Sequence, residues 1–304
     1  MTERSVLLLA TNKKEYLQFA INCAESIKIH NPGLPIFIVT NIDPVADIPG
    51  IKFLPVKDEL ARLYIETKLY LDTFLQTAET LFIDSDCLCF SSLDPIFNAC
   101  KGMDVTVIGR PVPLENYWGD EKDAEYARKE FSIDRSILFN GGFYYINNTP
   151  VTKRIFDKAR EISAKYDEYG FNRIQNNWKN EEDLMSIAMI ANKQHPISDD
   201  STYMTDCATD QRPQILNVLK GKRVLRNPAN KLIQKRSWYP PTFSPIILHF
   251  GGSNIKSYPY ISQSALIKLY KKGFSIPVSS LIVYAFIHIP YKAYHWVRKT
   301  VGLR

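Results

Sequence analysis

Short, wholly apolar runs alternate with longer stretches in which apolar residues recur every three or four positions. Residues 5–11, SVLLLAT, form a continuous apolar run of strand length, the pattern of a strand buried on both faces. Tyr16, Phe19, Ala20, Cys23, Ala24 and Ile27 then make one apolar stripe, which predicts a helix ended by His30-Asn-Pro-Gly33. Residues 35–41 (PIFIVTN) and 51–56 (IKFLPV) predict two more buried strands. A helix over about 59–76 follows, carrying Leu63, Leu69, Tyr70 and Phe74. Residues 80–84 (TLFID) predict a fourth strand that ends on Asp84. Strand, helix, strand, strand, helix, strand is an α/β pattern with a largely parallel sheet.

Further along, residues 104–109 read as a strand, and 113–130 as a polar, aromatic loop with a short helix. Residues 137–148 (ILFNGGFYYINN) have a strand pattern broken by Gly141 and Gly142, as at a bulge or a close approach to a ligand. Thr149 and Pro150 open a helix to about 166. A second helix covers 180–193, with Glu181, Glu182 and Asp183 where the helix dipole favours acids. A short strand, SPIILHFGG, ends in His249, Gly251 and Gly252. The span 198–243, rich in Pro, Asp, Lys and Arg, shows no placeable element.

Composition narrows the class only a little. The 304 residues suffice for one large or two ordinary domains, and nothing in them signals disorder. A net charge of +6 spread over such a chain is mild. Cys87 and Cys89 form a C-x-C without a second pair or a histidine at finger spacing. With Cys23, Cys100 and Cys207 they read as buried free thiols of a reducing compartment. The apolar run at the N-terminus is too short for a signal peptide. No stretch approaches the roughly 18 consecutive apolar residues of a membrane span. The expectation is a cytoplasmic protein.

Chemistry concentrates at strand ends. In parallel α/β sheets ligands bind beyond the carboxyl ends of the strands, and there stand Thr11 with Asn12, Thr40 with Asn41, and Asp84-Ser85-Asp86. Two carboxylates one residue apart repel, the more so at low dielectric, and a divalent cation with a phosphate-bearing ligand would compensate. A solvated Asp-x-Asp turn is the plain alternative.

ETKLYL, TLFIDSDCLCF, FNGGFYYINN, an acidic helix start and LHFGGSNIK, in that order, resemble the signatures of GT-A nucleotide-sugar glycosyltransferases. The match is to family 8, which includes glycogenin and the lipopolysaccharide galactosyltransferases, and it covers roughly residues 5–260. The resemblance implies a GT-A, Rossmann-like fold over 1–260 with a helical tail over 261–304. It implies Mn²⁺, with Mg²⁺ as the alternative, on Asp84, Asp86 and His249 of a DxD-type site, and a UDP-sugar donor. Mixed oxygen and nitrogen ligands suit Mn²⁺. Carried over in the same way, Thr11 and Asn12 hold uracil and ribose, and Ser85 lies within the donor motif. Gly251 and Gly252 admit phosphate oxygens, and Lys256 touches the diphosphate, although KSYPY replaces the usual Lys-Pro-Trp. Asn140 lies near the donor sugar. Lys68 faces the donor, a snorkelling surface lysine being its alternative. Where the family carries Asp-Gln to bind sugar hydroxyls, this chain has Glu181 and Glu182. Arg110 is a minor candidate for phosphate.

The resemblance implies a retaining hexosyltransferase acting on a glycan, lipid-linked or protein acceptor, with glucose and galactose both open as the sugar. A non-catalytic nucleotide-sugar or glycan-binding protein on the same scaffold is the alternative. A nucleotidyltransferase is a third reading, without the glycine-rich loop that chemistry uses. Residues 276–304 set aromatic and basic side chains (Tyr291, Lys292, Tyr294, Trp296, Arg298, Lys299) beside an apolar run. That pattern suits a peripheral helix on an anionic membrane surface, with packing on the catalytic domain or stacking on nucleic acid as the alternatives, and the resemblance favours the inner face of a membrane and no nucleic acid.

Overall fold

The structure, a computed structural model, describes residues 3–43, 47–115, 121–206, 212–227 and 236–300. Cys207 and parts of the 113–135 and 198–243 loops lie outside these residues. The chain forms two compact units. The first comprises 1–20, 33–85 and 93–199, and the second 21–32, 86–92 and 200–304. The division runs through the helix Lys14–His30 and between Ser85 and Asp86. The boundary expected near residue 260 falls inside the helix Tyr258–Lys271.

The first unit is built on a six-stranded sheet. In spatial order its strands are Ile51–Pro55, Ile36–Thr40, Arg4–Leu9, Glu79–Ile83, Phe143–Asn147 and Val105–Thr106. The first four are parallel, and Phe143–Asn147 is antiparallel to both its neighbours. Apolar runs such as FIV and TLFI form strands here because both sheet faces are covered. Val6, Leu8, Ile38, Leu81 and Ile83 are fully buried. The helices Pro150–Ala164 and Glu181–Ala191 supply Ile155, Phe156, Leu184 and Met185 to the core on one face. Thr149 caps the former, its hydroxyl accepting from Thr152 N at 3.2 Å. The order places the Arg4–Leu9 and Glu79–Ile83 carboxyl ends side by side, where chain direction through the sheet reverses and ligands characteristically bind.

One expectation changes and another sharpens. The helix predicted over 59–76 is a short α-turn, Asp58–Ala61, followed by a 3₁₀ run, Tyr64–Phe74. Tyr64 takes φ +54°, which interrupts the α-helix between them. The strand pattern over 137–148, read as broken at Gly141 and Gly142, is two separate strands, Arg135–Phe139 and Phe143–Asn147, which join different sheets. Gly141 is the reason: a Cβ there would stand 2.4 Å from Glu181 Oε1, so the chain turns closely past a buried carboxylate. A second, three-stranded sheet contains Ile197–Ser198, Ile108–Pro113 and Arg135–Phe139. Arg110 is an exposed residue of its central strand.

In the second unit a three-stranded sheet sets Met204–Asp206 parallel and Cys87–Cys89 antiparallel to Ile247–His249. The register aligns Asp206, His249 and Cys87. Ser26 Oγ accepts from Cys89 N at 2.9 Å, and Asn22 donates to Ser264 Oγ at 3.0 Å. These bonds hold the strand and the helix Tyr258–Lys271 against residues 21–32. Arg212–Asn217, Lys222–Arg226 and Thr242–Phe243 form a further antiparallel sheet in the span where no element was predicted.

The tail departs from expectation. Helix Ile276–Val283, a π-helical turn Tyr284–His288 and helix Ile289–Thr300 follow one another without a break. The wider π turn accommodates the missing donor and the ring of Pro290, so the helix continues through it. Among the described residues the run Ile276–Arg298 is long and apolar enough to cross a membrane. It has 23 residues, few of them buried.

Candidate active site

In the first unit the site residues meet around a buried lysine. Lys68 Nζ donates to Asp84 Oδ2 at 2.9 Å and to the carbonyl of Gly141 at 2.9 Å, and lies 3.3 Å from Glu181 Oε1. Its side chain is 9% exposed, which excludes the snorkelling reading. Burial alone would depress its pKa, but the charges of Asp84, Glu181 and Glu182 outweigh that and hold it well above the usual lysine range. Asp84 lies just past its strand, its N–H donating to the Gly142 carbonyl at 2.9 Å. Ser85 beside it is half-buried.

Glu181 is fully buried, and neither of its carboxylate oxygens has a hydrogen-bond partner among the described residues. The lysine contact at 3.3 Å is an ion pair without hydrogen-bond alignment. Burial raises its pKa, and Lys68 opposes the rise. Glu182 accepts from Gly141 N at 2.6 Å, and burial together with the Glu181 charge pushes it up to about 7. Asn180 caps the helix, accepting from Glu182 N at 3.3 Å. Of the three acids that open the helix, Glu181 is the fully buried one. Asn140 Oδ1 accepts from Gly142 N at 2.8 Å and shapes the glycine turn.

At the end of the first strand Thr11 is buried and Asn12 takes φ +69°, a left-handed conformation asparagine tolerates. The Asn12 amide donates to the Ala61 carbonyl at 2.7 Å and to Thr11 Oγ1 at 3.2 Å, and its N–H donates to Asn41 Oδ1 at 2.8 Å. Two strand ends and the turn Asp58–Ala61 are thereby cross-linked before any ligand arrives.

In the second unit His249 Nε2 lies 3.1 Å from Asp86 Oδ1. Its Nδ1 lies 2.7 Å from Asp206 Oδ1, and Asp206 Oδ2 accepts from Arg236 Nη2 at 2.9 Å. Burial lowers the His249 pKa, but the two flanking carboxylates outweigh it and hold the ring well above its ordinary value. Burial would raise Asp206, yet His249 and Arg236 bring it below the usual carboxylate range. One donor atom each from Asp86, Cys87 and His249 lie within 4.8 Å of one another. Gly251 borders this group: a Cβ there would stand 3.1 Å from His249 Cε1 and 3.2 Å from Nε2. Its lack of a side chain therefore leaves the Nε2 edge uncrowded. Gly252 has φ +63° with open space around it, and Lys256 is exposed at the end of the 3₁₀ run Gly252–Lys256. A carboxylate oxygen and an imidazole nitrogen at this separation fit a divalent cation that takes mixed ligands; a thiolate third donor would favour Zn²⁺ instead.

Asp206 and Arg236 were not singled out in the sequence. The one available signal was Asp206 itself, an acid closing the short apolar stretch TYMT, as Asp84 closes TLFI.

No family model matches the chain, and no curated protein does. Solved structures do. The galactosyltransferase LgtC, crystallised with donor and acceptor sugar analogues, is 14% identical. That match covers 82% of this chain and 87% of LgtC, with a TM-score of 0.52. The bifunctional glycosyltransferase WbbM, in its apo form, is 12% identical over 82% of this chain and 46% of its own, also with a TM-score of 0.52. At such identities the likeness is one of fold. The fold, a mostly parallel sheet flanked by helices, is of the GT-A type.

Proposed function

We propose that the chain is a metal-dependent glycosyltransferase that moves a hexose from a UDP-sugar to a glycan, lipid-linked or protein acceptor with retention of configuration. The observation that carries the reading is the 3.1 Å approach of Asp86 Oδ1 to His249 Nε2, two residues 163 positions apart in the chain (249 − 86). The shared fold and the uncrowded imidazole edge beside Gly251 support it. Asp86 and His249 would hold Mn²⁺, or Mg²⁺ in its place, and the sequence resemblance adds Asp84 as a ligand. The bound cation would neutralise the diphosphate and make UDP a competent leaving group.

The other residues bind and orient. Thr11 and Asn12, locked by their own hydrogen bonds, offer polar groups to uracil and ribose. Lys256 stands as an exposed cation for the diphosphate, and Gly252 leaves its backbone open to it. Asn140, Glu181 and Glu182 are assigned to the sugar. A buried carboxylate can accept from sugar hydroxyls and stabilise positive charge growing at the anomeric carbon.

The tail is assigned to a membrane surface facing the cytoplasm. Phe286, Trp296 and Leu281 are exposed by 77%, 69% and 66%. Tyr258, on the preceding helix, stacks on Tyr291 at 3.9 Å and hydrogen-bonds His288. A helix docked on protein along one side is suited to lying in the interface rather than spanning it.

Mn²⁺-dependent UDP binding and UDP-hexose turnover test the proposal. Asp86→Ala is expected to abolish both, and full activity in that variant would refute the site. Mn²⁺-dependent UDP binding by the native chain without any turnover of UDP-hexoses, acceptor or water, would favour the non-catalytic binding protein.

A further inference from the structure

We infer that Asp206 is a positioning residue that aims His249 Nε2 at the cation. The inference rests on the proposed metal role of Asp86 and His249 and goes beyond it by naming what holds the imidazole in place. Strands Met204–Asp206 and Ile247–His249 run parallel with Asp206 and His249 in register. A carboxylate accepts and does not donate when ionised, so the 2.7 Å contact places a proton on His249 Nδ1. That proton fixes the ring about its Cβ–Cγ bond and leaves Nε2 as the atom turned to Asp86.

Asp206 is itself held. Its second oxygen accepts from Arg236 Nη2 at 2.9 Å, and Arg236 Nη1 donates to Thr205 Oγ1 at 2.8 Å. The guanidinium also lies over the Tyr239 ring at 5.3 Å. Arg236, Asp206 and His249 thus form a directed chain of hydrogen bonds ending on Nε2. Carboxylate partners of this kind orient metal-bound histidines and raise their basicity. Both Asp206 oxygens accept, whereas an asparagine has one acceptor oxygen. Asp206→Asn keeps the shape but can serve only one of the two donors.

The test is Mn²⁺ titration of the full chain, with the free ion followed by its paramagnetic resonance signal. Asp206→Asn is expected to weaken Mn²⁺ binding by about 10–100-fold. In a His249→Ala background the same substitution is expected to add nothing, because it acts through the imidazole. Should Asp206→Asn not fold, Arg236→Gln reports on the same chain, with an expected loss of roughly 3–10-fold. Unchanged affinity in the folded variant overturns the inference. So does an equal loss with and without His249, which would mark a purely structural role. If the native chain binds Mn²⁺ and only the Asp206 effect fails, the metal reading survives. If the native chain binds no Mn²⁺, both fall.

Discussion

Lys68→Met isolates the electrostatics of the first unit. The substitution keeps length and apolar volume and removes one charge. That charge faces Asp84 at 2.9 Å and Glu181 at 3.3 Å, and Glu181 has no exposure to water. A buried ion pair adds little net stability over an apolar replacement, but removing one partner strands the other, at a cost of about 3–5 kcal/mol. Asp84 is 23% exposed and can be partly hydrated, so the lower end, about 3 kcal/mol, is the expected loss. For a domain of this class each kcal/mol moves the melting temperature by roughly 2–4 °C. The unfolding transition of the first unit, followed by calorimetry at pH 7.5, should therefore fall by about 6–12 °C. Adding Glu181→Gln removes the stranded charge and should recover at least about half of the loss. Lowering the pH should also shrink the deficit, since burial already raises the Glu181 pKa and acid favours its neutral form. The reasoning fails if Lys68→Met melts within about 2 °C of the native chain, or if the double variant melts no higher than the single one.

Three other outcomes follow from the same geometry. Glu182, raised from 4.5 to about 7, contributes stability that is present in full below pH 4.5 and is lost as pH rises through about 7. Melting temperatures between pH 5 and 8 should fall further for the native chain than for Glu182→Gln, which keeps the acceptor for Gly141 N; parallel curves would contradict this. Cys87→Ser should change Mn²⁺ affinity by less than about two-fold, because a buried thiol is a poor ligand for a hard cation; a large loss would point to Zn²⁺. Phe286→Ser combined with Trp296→Ser should release the protein from anionic vesicles in a sedimentation assay, with its thermal unfolding unchanged. Undiminished binding would remove the tail from the membrane reading.

The fold was legible where burial is two-sided. Short apolar runs such as VLLLA and LFI, each closed by a polar residue, suit strands enclosed on both faces, so the four parallel strands and their polar ends emerged from pattern. Periodicity was less reliable where a single residue sets the geometry. Tyr64 at φ +54° turns an expected helix into a 3₁₀ run, and a π turn carries the tail through Pro290. The span 198–243 stayed unread because its strands are either two or three residues long or, as in RPQILN and KRVLR, mix proline and basic residues into the apolar positions and so show no continuous apolar run.

For the candidate site, the sequence by itself determined which residue types were available: paired acids after a strand, a histidine before two glycines, and acids opening a helix. Ligand chemistry depends on residue type, and type is local. Tertiary structure alone decided which of them meet. Register between strands set Asp206 beside His249, a close turn at Gly141 set Glu181 against Lys68, and the path of the chain past Phe250 brought His249 to Asp86. Such distances arise from pairings between segments up to some 160 residues apart, where neither periodicity nor local propensity carries information.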